Sequence, residues 1–267
     1  MLIVGERINS SRERIAQAIR EENSSVIREE AQRQVEAGAD YIDVNAGIFL
    51  NEETRYLPWL VKVIQETVDS PLCIDTSNAQ ALDAALKVCQ RKALVNSITA
   101  EKERYDAFLP LIKNYGCSLT ALCMDGSGIP STVEGRLEVA NQIINSLLTD
   151  NIAPTDIYID PIVQPVGTDF KSGAIALETI KQIKSQHSEI QTIIGLSNVS
   201  FGLPYRRQLN RIFMVMAIQA GLDAAILDPC DKKLIAHIVT AKTLLGQDEF
   251  CVNYLKAYRT GKLDKDD

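Results

Sequence analysis

Eight short apolar runs recur along the chain, each followed by an amphipathic stretch, and this rhythm limits the folds open to it. The runs occupy residues 2–5, 41–44, 72–74, 93–95, 118–123, 157–159, 192–196 and 224–227. Most are continuously apolar rather than alternating, the pattern of parallel strands covered by helices. Helix signals fall between them. Ser10 to Glu13 and Ser131 to Glu134 read as capping boxes, in which a hydroxyl and a carboxylate satisfy free amides at a helix start. Asn78 is placed to cap a helix over 79–92, with Ala81, Leu82, Ala85, Leu86 and Cys89 on one face. Gly38 and Gly221 stand where a helix ends just before a strand. Eight such units in 267 residues predict a single closed (β/α)8 TIM barrel over residues 1–260, followed by a polar tail at 261–267. An open doubly wound sheet is the other topology with this rhythm. It would carry a glycine-rich phosphate turn after the first strand, and Gly5-Glu6-Arg7-Ile8-Asn9 is not one.

Charge and composition narrow the function. The net charge is -7 and no Lys/Arg stripe offers a footprint for a phosphate backbone, so nucleic acid is not the expected partner. The first residues lack the long apolar core of a secretion signal, and no stretch reaches the ~18 apolar residues of a membrane span. A cytoplasmic protein is expected. Its six cysteines are scattered singly and read as small buried apolar residues. With only His187 and His237, both in helix-like segments, no histidine-based metal centre or catalytic triad is expected.

In a barrel of this kind the residues at the C-terminal ends of the strands build the site. Read in order, those positions hold Glu6 and Asn9, then Asn45, Asp75, Asn96, Asp125, Asp160, Asn198 and Asp228. Each could simply bond loop amides, but together they describe a mouth lined by acceptors and neutral donors. Such a mouth suits neither phosphate nor zinc. A magnesium site built from Asp75, Asp160 and Asp228 is conceivable. A flat heterocycle with a 2-amino-4-oxo edge fits better, because one carboxylate can accept from its parallel N–H pair.

Six motifs, Gly5-Glu6-Arg7-Ile8-Asn9, Asp43-Val44-Asn45, Cys73-Ile74-Asp75-Thr76, Asn96-Ser97, Tyr158-Ile159-Asp160-Pro161 and Gly195-Leu196-Ser197-Asn198-Val199-Ser200, follow one another along the chain. In this order and spacing the chain resembles the methyltetrahydrofolate:corrinoid methyltransferases, pterin-binding TIM barrels related to the folate domain of cobalamin-dependent methionine synthase. The resemblance implies a methyl group passed between N5 of tetrahydrofolate and the cobalt of a corrinoid (cobalamin). It assigns Asp75, Asn96 and Asp160 to the pterin edge and Asn198 to N5, with Asn198 and Asp160 as the catalytic pair. Gly195 and Ser197 lie beside the ring, with Glu6, Asn9 and Asn45 among the substrate contacts. Arg206 and Arg207 follow the seventh strand, where related enzymes place a folate-contacting arginine.

The chain has no Asp-x-His-x-x-Gly corrinoid motif, so the corrinoid is expected on a partner protein, with no metal held by this chain. A homodimer is expected from relatives of this length. The opening from Val4 to Ser11 is similar to standalone enzymes of anaerobic demethylation, which favours transfer from methylcorrinoid to tetrahydrofolate. Delivery from 5-methyltetrahydrofolate to a corrinoid/iron–sulfur protein stays open. So do a dihydropteroate synthase, whose Asn-x-Thr-Pro-Asp-Ser-Phe and Gly-Phe-Gly-Lys segments are missing here, and a pterin-binding scaffold without catalysis.

Overall fold

Parallel strands alternate their side chains between a barrel interior and an outer layer, and that alternation governs this structure. The computed structural model describes residues 1–263; the last four residues of the expected tail, 264–267, lie outside them. The strands are β1 (Leu2–Asn9), β2 (Tyr41–Asn45), β3 (Leu72–Asp75), β4 (Leu94–Ile98), β5 (Ser118–Leu122), β6 (Ile157–Asp160), β7 (Gln191–Gly195) and β8 (Ala224–Leu227). They close into one parallel barrel in chain order, with β8 paired back onto β1. Among the described residues ten α-helices wrap it: α1 (Glu13–Arg20), α2 (Ser24–Ala37), α3 (Glu53–Gln65), α4 (Ala79–Leu86), α5 (Lys102–Tyr115), α6 (Val133–Thr149), α7 (Ser172–Gln186), α8 (Arg206–Ala220), α9 (Lys232–Leu244) and α10 (Val252–Arg259).

Inside the barrel, Val4, Cys73, Leu94, Ile193 and Ala224 pack together, with Leu2, Tyr41, Tyr158 and Ile226 against them. Two positions further along the same strands the inward residue becomes polar: Glu6, Asp43, Asp75, Asn96, Asp160 and Asp228. The lower barrel is thus a filled apolar plug and the upper barrel an acidic bowl. Between strands and helices a second, larger core runs from Ile8 to Ile190, with Ile42, Leu57, Leu60, Ile74 and Ile144 fully buried. Gly5 faces outward at a tight approach. A Cβ there would collide with the carboxamide of Gln34 on α2, whose Oε1 accepts from Arg7 N at 3.0 Å.

Gly38 and Gly221 end α2 and α8 with φ of 105° and 102°, as the sequence predicts. Asn78 caps α4, accepting from Gln80 N and Ala81 N. Other local expectations need correction. α4 stops at Leu86 rather than 92, because Gln65 of α3 donates to Val88 O and accepts from Gln90 N, replacing helical bonds. Cys89 still packs against the core. Ser10 does not cap α1; its buried Oγ donates to Asn45 Oδ1 at 2.8 Å and accepts from Ile48 N at 3.3 Å, and α1 begins at Glu13 without a side-chain cap. The second box shifts by one residue, with Thr132 accepting from Gly135 N. β1 and β4 run longer than their apolar runs. Both continue past a shift in pairing register, between Gly5 and Ile8 and between Asn96 and Ile98. Polar side chains end an apolar run without ending backbone pairing when the barrel mouth can receive them.

Candidate active site

The bowl opens at the C-terminal ends of the strands as a cavity of about 940 Å³, large enough for a bicyclic ring and part of a substituent. Asp75, Asn96 and Asp160 line it from β3, β4 and β6, with Glu6 and Asn9 from β1. Gly195, Ser197 and Asn198 enter from the end of β7 and the 3-10 turn that follows it, and Arg206 and Arg207 from the start of α8.

Two expected rim residues are placed differently. Asn45 is not on the cavity wall. Its Oδ1 accepts from Ser10 Oγ and Gly47 N, while its Nδ2 donates to Asp75 Oδ2 at 3.0 Å, so it aims Asp75. Asp125 turns away into its own loop, accepting from Ser127 N and Oγ, and β5 presents Leu122 to the cavity instead. The reason is parity: Leu122 is the inward residue of β5, and the chain has already turned by Asp125.

Burial dominates the electrostatics. Removal from water pushes the carboxyl of Asp160 up to about 7, opposed by the Ile162 amide and Arg136. It pushes Asp75 up to about 6, opposed by the Asn45 carboxamide. Glu6 is also raised by burial, although Ser197 Oγ donates to both its oxygens at 2.9 and 3.0 Å and Arg12 lies 3.2 Å away. Asp160 and Asp75, raised toward neutrality and in no salt bridge among the described residues, are poised for a ligand that brings N–H donors. Asp160 Oδ1 accepts from Ile162 N at 2.7 Å, and its other oxygen has no hydrogen-bond partner among the described residues. The Asn96 carboxamide is equally unengaged.

Asp160 is braced from behind. Arg136 of α6 is fully buried and donates to Pro130 O, Pro161 O, Ile162 O and Gln164 Oε1. Those bonds hold Ile162 at φ 61°, a left-handed conformation that a β-branched residue adopts only under constraint.

Across the mouth, the Asn198 side chain is exposed and makes no hydrogen bond among the described residues. It folds back over Gly195, where a Cβ would come within 3.1 Å of Asn198 Nδ2. Glycine at 195 therefore leaves room for the amide. Of the two arginines, Arg206 is committed to the loop, donating to Ser197 O at 2.7 Å and Ser200 Oγ at 3.2 Å. Arg207 makes no ion pair or hydrogen bond among the described residues.

Asp43 is the wall residue that strand-end reasoning passes over. It lies one inward step before Asn45, and β-strand parity was the signal that would have found it. It is buried, its Oδ1 has no partner, and its carboxyl is pushed well above the ordinary range by burial and by Asp75. Asp228, on the β8 side, pairs with Arg7 at 2.8 Å. Among the described residues no group of three or more His, Cys, Asp or Glu is arranged to hold a metal, so Asp75, Asp160 and Asp228 do not converge as a magnesium set. His187 and His237 bond Asn141 and the Lys233 carbonyl, away from the cavity.

Comparison with known proteins places this site in context. A family profile described as "Pterin binding enzyme" matches residues 5–228. The chain is similar to a methylcorrinoid:tetrahydrofolate methyltransferase of Eubacterium limosum, 37% identical and covering 98% of both chains. It is 28% identical to the methionine synthase of Mycobacterium leprae over 85% of this chain, which spans only 20% of that protein. Among solved structures, a dihydropteroate synthase from Yersinia pestis superposes with a TM-score of 0.70 at 17% identity, covering 92% of this chain and 93% of the other. At that identity the likeness is one of fold.

Proposed function

The chain belongs to the pterin-binding enzyme family and is a methyltransferase, and on that premise we propose that it moves a methyl group between N5 of tetrahydrofolate and the cobalt of a corrinoid carried by a separate protein. The observation that carries this reading is the one-sided bowl. Asp75, Asn96 and Asp160 stand on one side with acceptors free, and an unengaged Asn198 stands at the other. The pterin edge offers N–H donors to the carboxylate oxygens of Asp75 and Asp160 that remain unpaired, and the ring then presents N5 toward Asn198.

N5 of a methylated folate leaves as a poor amide-like anion unless it gains a proton or a strong hydrogen bond. Asn198 is not an acid at neutral pH. Its amide donates to N5 directly or through water, and the bond strengthens as charge grows on N5. The cobalt is the reacting atom of the other substrate, so this chain's task is to orient the pterin, polarise N5 and leave the mouth open. Large apolar side chains exposed on the rim loops suit a protein visitor: Leu50, Phe170, Phe201 and Tyr205 are 73%, 83%, 65% and 77% exposed.

We assign the direction from methylcorrinoid to tetrahydrofolate, the direction in the name of the Eubacterium limosum relative. The six free cysteines fit a cytoplasmic setting, and no helix among the described residues is long and apolar enough to cross a membrane. The test is methyl transfer measured both ways, with tetrahydrofolate plus methylcobalamin and with 5-methyltetrahydrofolate plus reduced cobalamin. Transfer in both, faster toward tetrahydrofolate, supports the assignment. Folate binding without transfer in either direction makes the chain a scaffold, and dihydropteroate synthesis refutes the reading.

A further inference from the structure

The acidic bowl has one cationic side, and it continues outward. Arg207 lines the substrate cavity and also two surface grooves beyond it. Those grooves are walled by the starts of α8 and α9 and by α2, and they carry Arg207, Arg211, Lys232, Lys233 and Arg33. Arg211 is neutralised by Asp231 at 2.7 Å, and Asp228 by Arg7. Arg33, Arg207, Lys232 and Lys233 have no ion pair among the described residues, and all four are exposed. Their placement is costly to the fold. α8 and α9 each open with two cations and no acid in the first turn, against the helix dipole, in a chain of net charge -7; the one acid at these starts, the α9 cap Asp231, is already paired with Arg211. Four unpaired cations around one groove point to an anionic occupant rather than to stability.

The orientation of the substrate names that occupant. This step rests on the pterin reading above. With the 2-amino-4-oxo edge held on β3, β4 and β6, the far end of the bicycle, which carries the aminobenzoyl-glutamate substituent, points across the barrel toward β7, β8 and β1. On that side stand Arg206, Arg207 and the grooves. The bowl itself, lined by Glu6, Asp43, Asp75, Asp160 and Asp228, repels carboxylates. A tail of carboxylates leaving the bowl therefore has one favourable exit. We propose that the cationic groove between the starts of α8 and α9 binds the anionic tail of the folate, and that it is built for a chain of several γ-linked glutamates rather than for one. A single glutamate reaches Arg207 at the junction; Lys232, Lys233 and Arg33 lie beyond it and find carboxylates only on an extended tail.

Calorimetry with the mono- and triglutamate forms of 5-methyltetrahydrofolate tests this. In the wild type the triglutamate is expected to bind about tenfold tighter, the sum of a few exposed ion pairs. That advantage should shrink as salt is raised. The double variant Lys232→Gln/Lys233→Gln should lose the advantage and keep the monoglutamate affinity. Both substitutions are at exposed first-turn positions, and an unchanged thermal midpoint confirms the fold. Equal affinity for both forms in the wild type overturns the tail site and leaves the pterin reading standing. No binding of either form overturns both. If the double variant keeps the triglutamate advantage but slows transfer with a corrinoid protein, the groove serves an acidic protein partner and the proposal fails.

Discussion

Asp160 ties affinity to pH in a way that can be measured directly. Its buried carboxyl is pushed up to about 7, so in the ligand-free protein at neutral pH about half the molecules hold it protonated. The pterin edge needs the ionised form, because only the carboxylate accepts from both N–H groups. Binding must then expel a proton, and apparent affinity falls by the fraction not competent. Between about pH 8 and pH 6 this amounts to a loss of about tenfold, with Asp75, pushed up to about 6, adding a further fall below that. Asp160→Asn removes both the titration and the charge-assisted bond. Since such a bond contributes about 1.5–3 kcal/mol, the variant should bind 5-methyltetrahydrofolate roughly ten- to a hundredfold more weakly at high pH, with a flatter pH profile. Calorimetry in two buffers of different ionisation enthalpy reads affinity and proton release together. A wild-type profile that is flat from about pH 6 to 8, or a variant that keeps the wild-type slope, refutes the argument.

Further expectations follow from the same geometry. Asn198→Ala should slow single-turnover transfer about a hundredfold in both directions, with a much smaller change in folate affinity, as measured by stopped-flow spectroscopy of the corrinoid. Gly195→Ala should imitate it in part, since the new methyl would push Asn198 aside. The ligand-free protein should unfold at a higher temperature as pH falls from about 7.5 toward 5. Asp43, Asp75 and Asp160 have raised folded pKa values, so between their ordinary value of 3.8 and about 7 the folded state holds protons that the unfolded state releases. Asp160→Asn should weaken that rise in a calorimetric scan. Light scattering should report two chains rather than the single-chain 29.5 kDa, with Ile212→Glu shifting it to one, because Leu209, Ile212 and Met216 form an exposed apolar stripe on α8. Activity should survive exhaustive chelation; loss restored by added zinc or magnesium would disprove metal independence.

The barrel was legible because its strands are buried on both faces and are written as uninterrupted apolar runs. The polar mouth was legible because a barrel leaves only its rim for such residues, and Asp75, Asn96 and Asp160 sit one step past those runs. Pairing geometry was not legible. The register shifts in β1 and β4 depend on neighbouring strands far off in the chain, and they decide where Glu6, Asn9 and Asn96 stand. Strand-end counting also treats each terminal residue alike, so it passed over Asp43 and ranked Asn45 as a ligand contact although its amide is spent on Asp75. The Ser10 hydroxyl shows the same limit. Nearby sequence offers it a helix start, while Asn45, distant in the chain, offers it a buried partner.

Anyone grafting new rim loops onto this scaffold to change the protein it serves inherits a constraint from Arg136. Its four acceptors belong to the segments after β5 and after β6, so those two loops behave as one bolted part. Exchanging either alone would strand a buried guanidinium and release Ile162, and with it the aim of Asp160. The loop after β2 carries Leu50 into solvent and makes no hydrogen bond to that pair among the described residues, whereas the loop after β7, which carries Phe201 and Tyr205, is tied to the segment after β6 by Val166 N donating to Val199 O at 3.0 Å. Partner specificity can therefore be redesigned at the loop after β2, while residues 130–136 and 160–164 must travel together as a cassette.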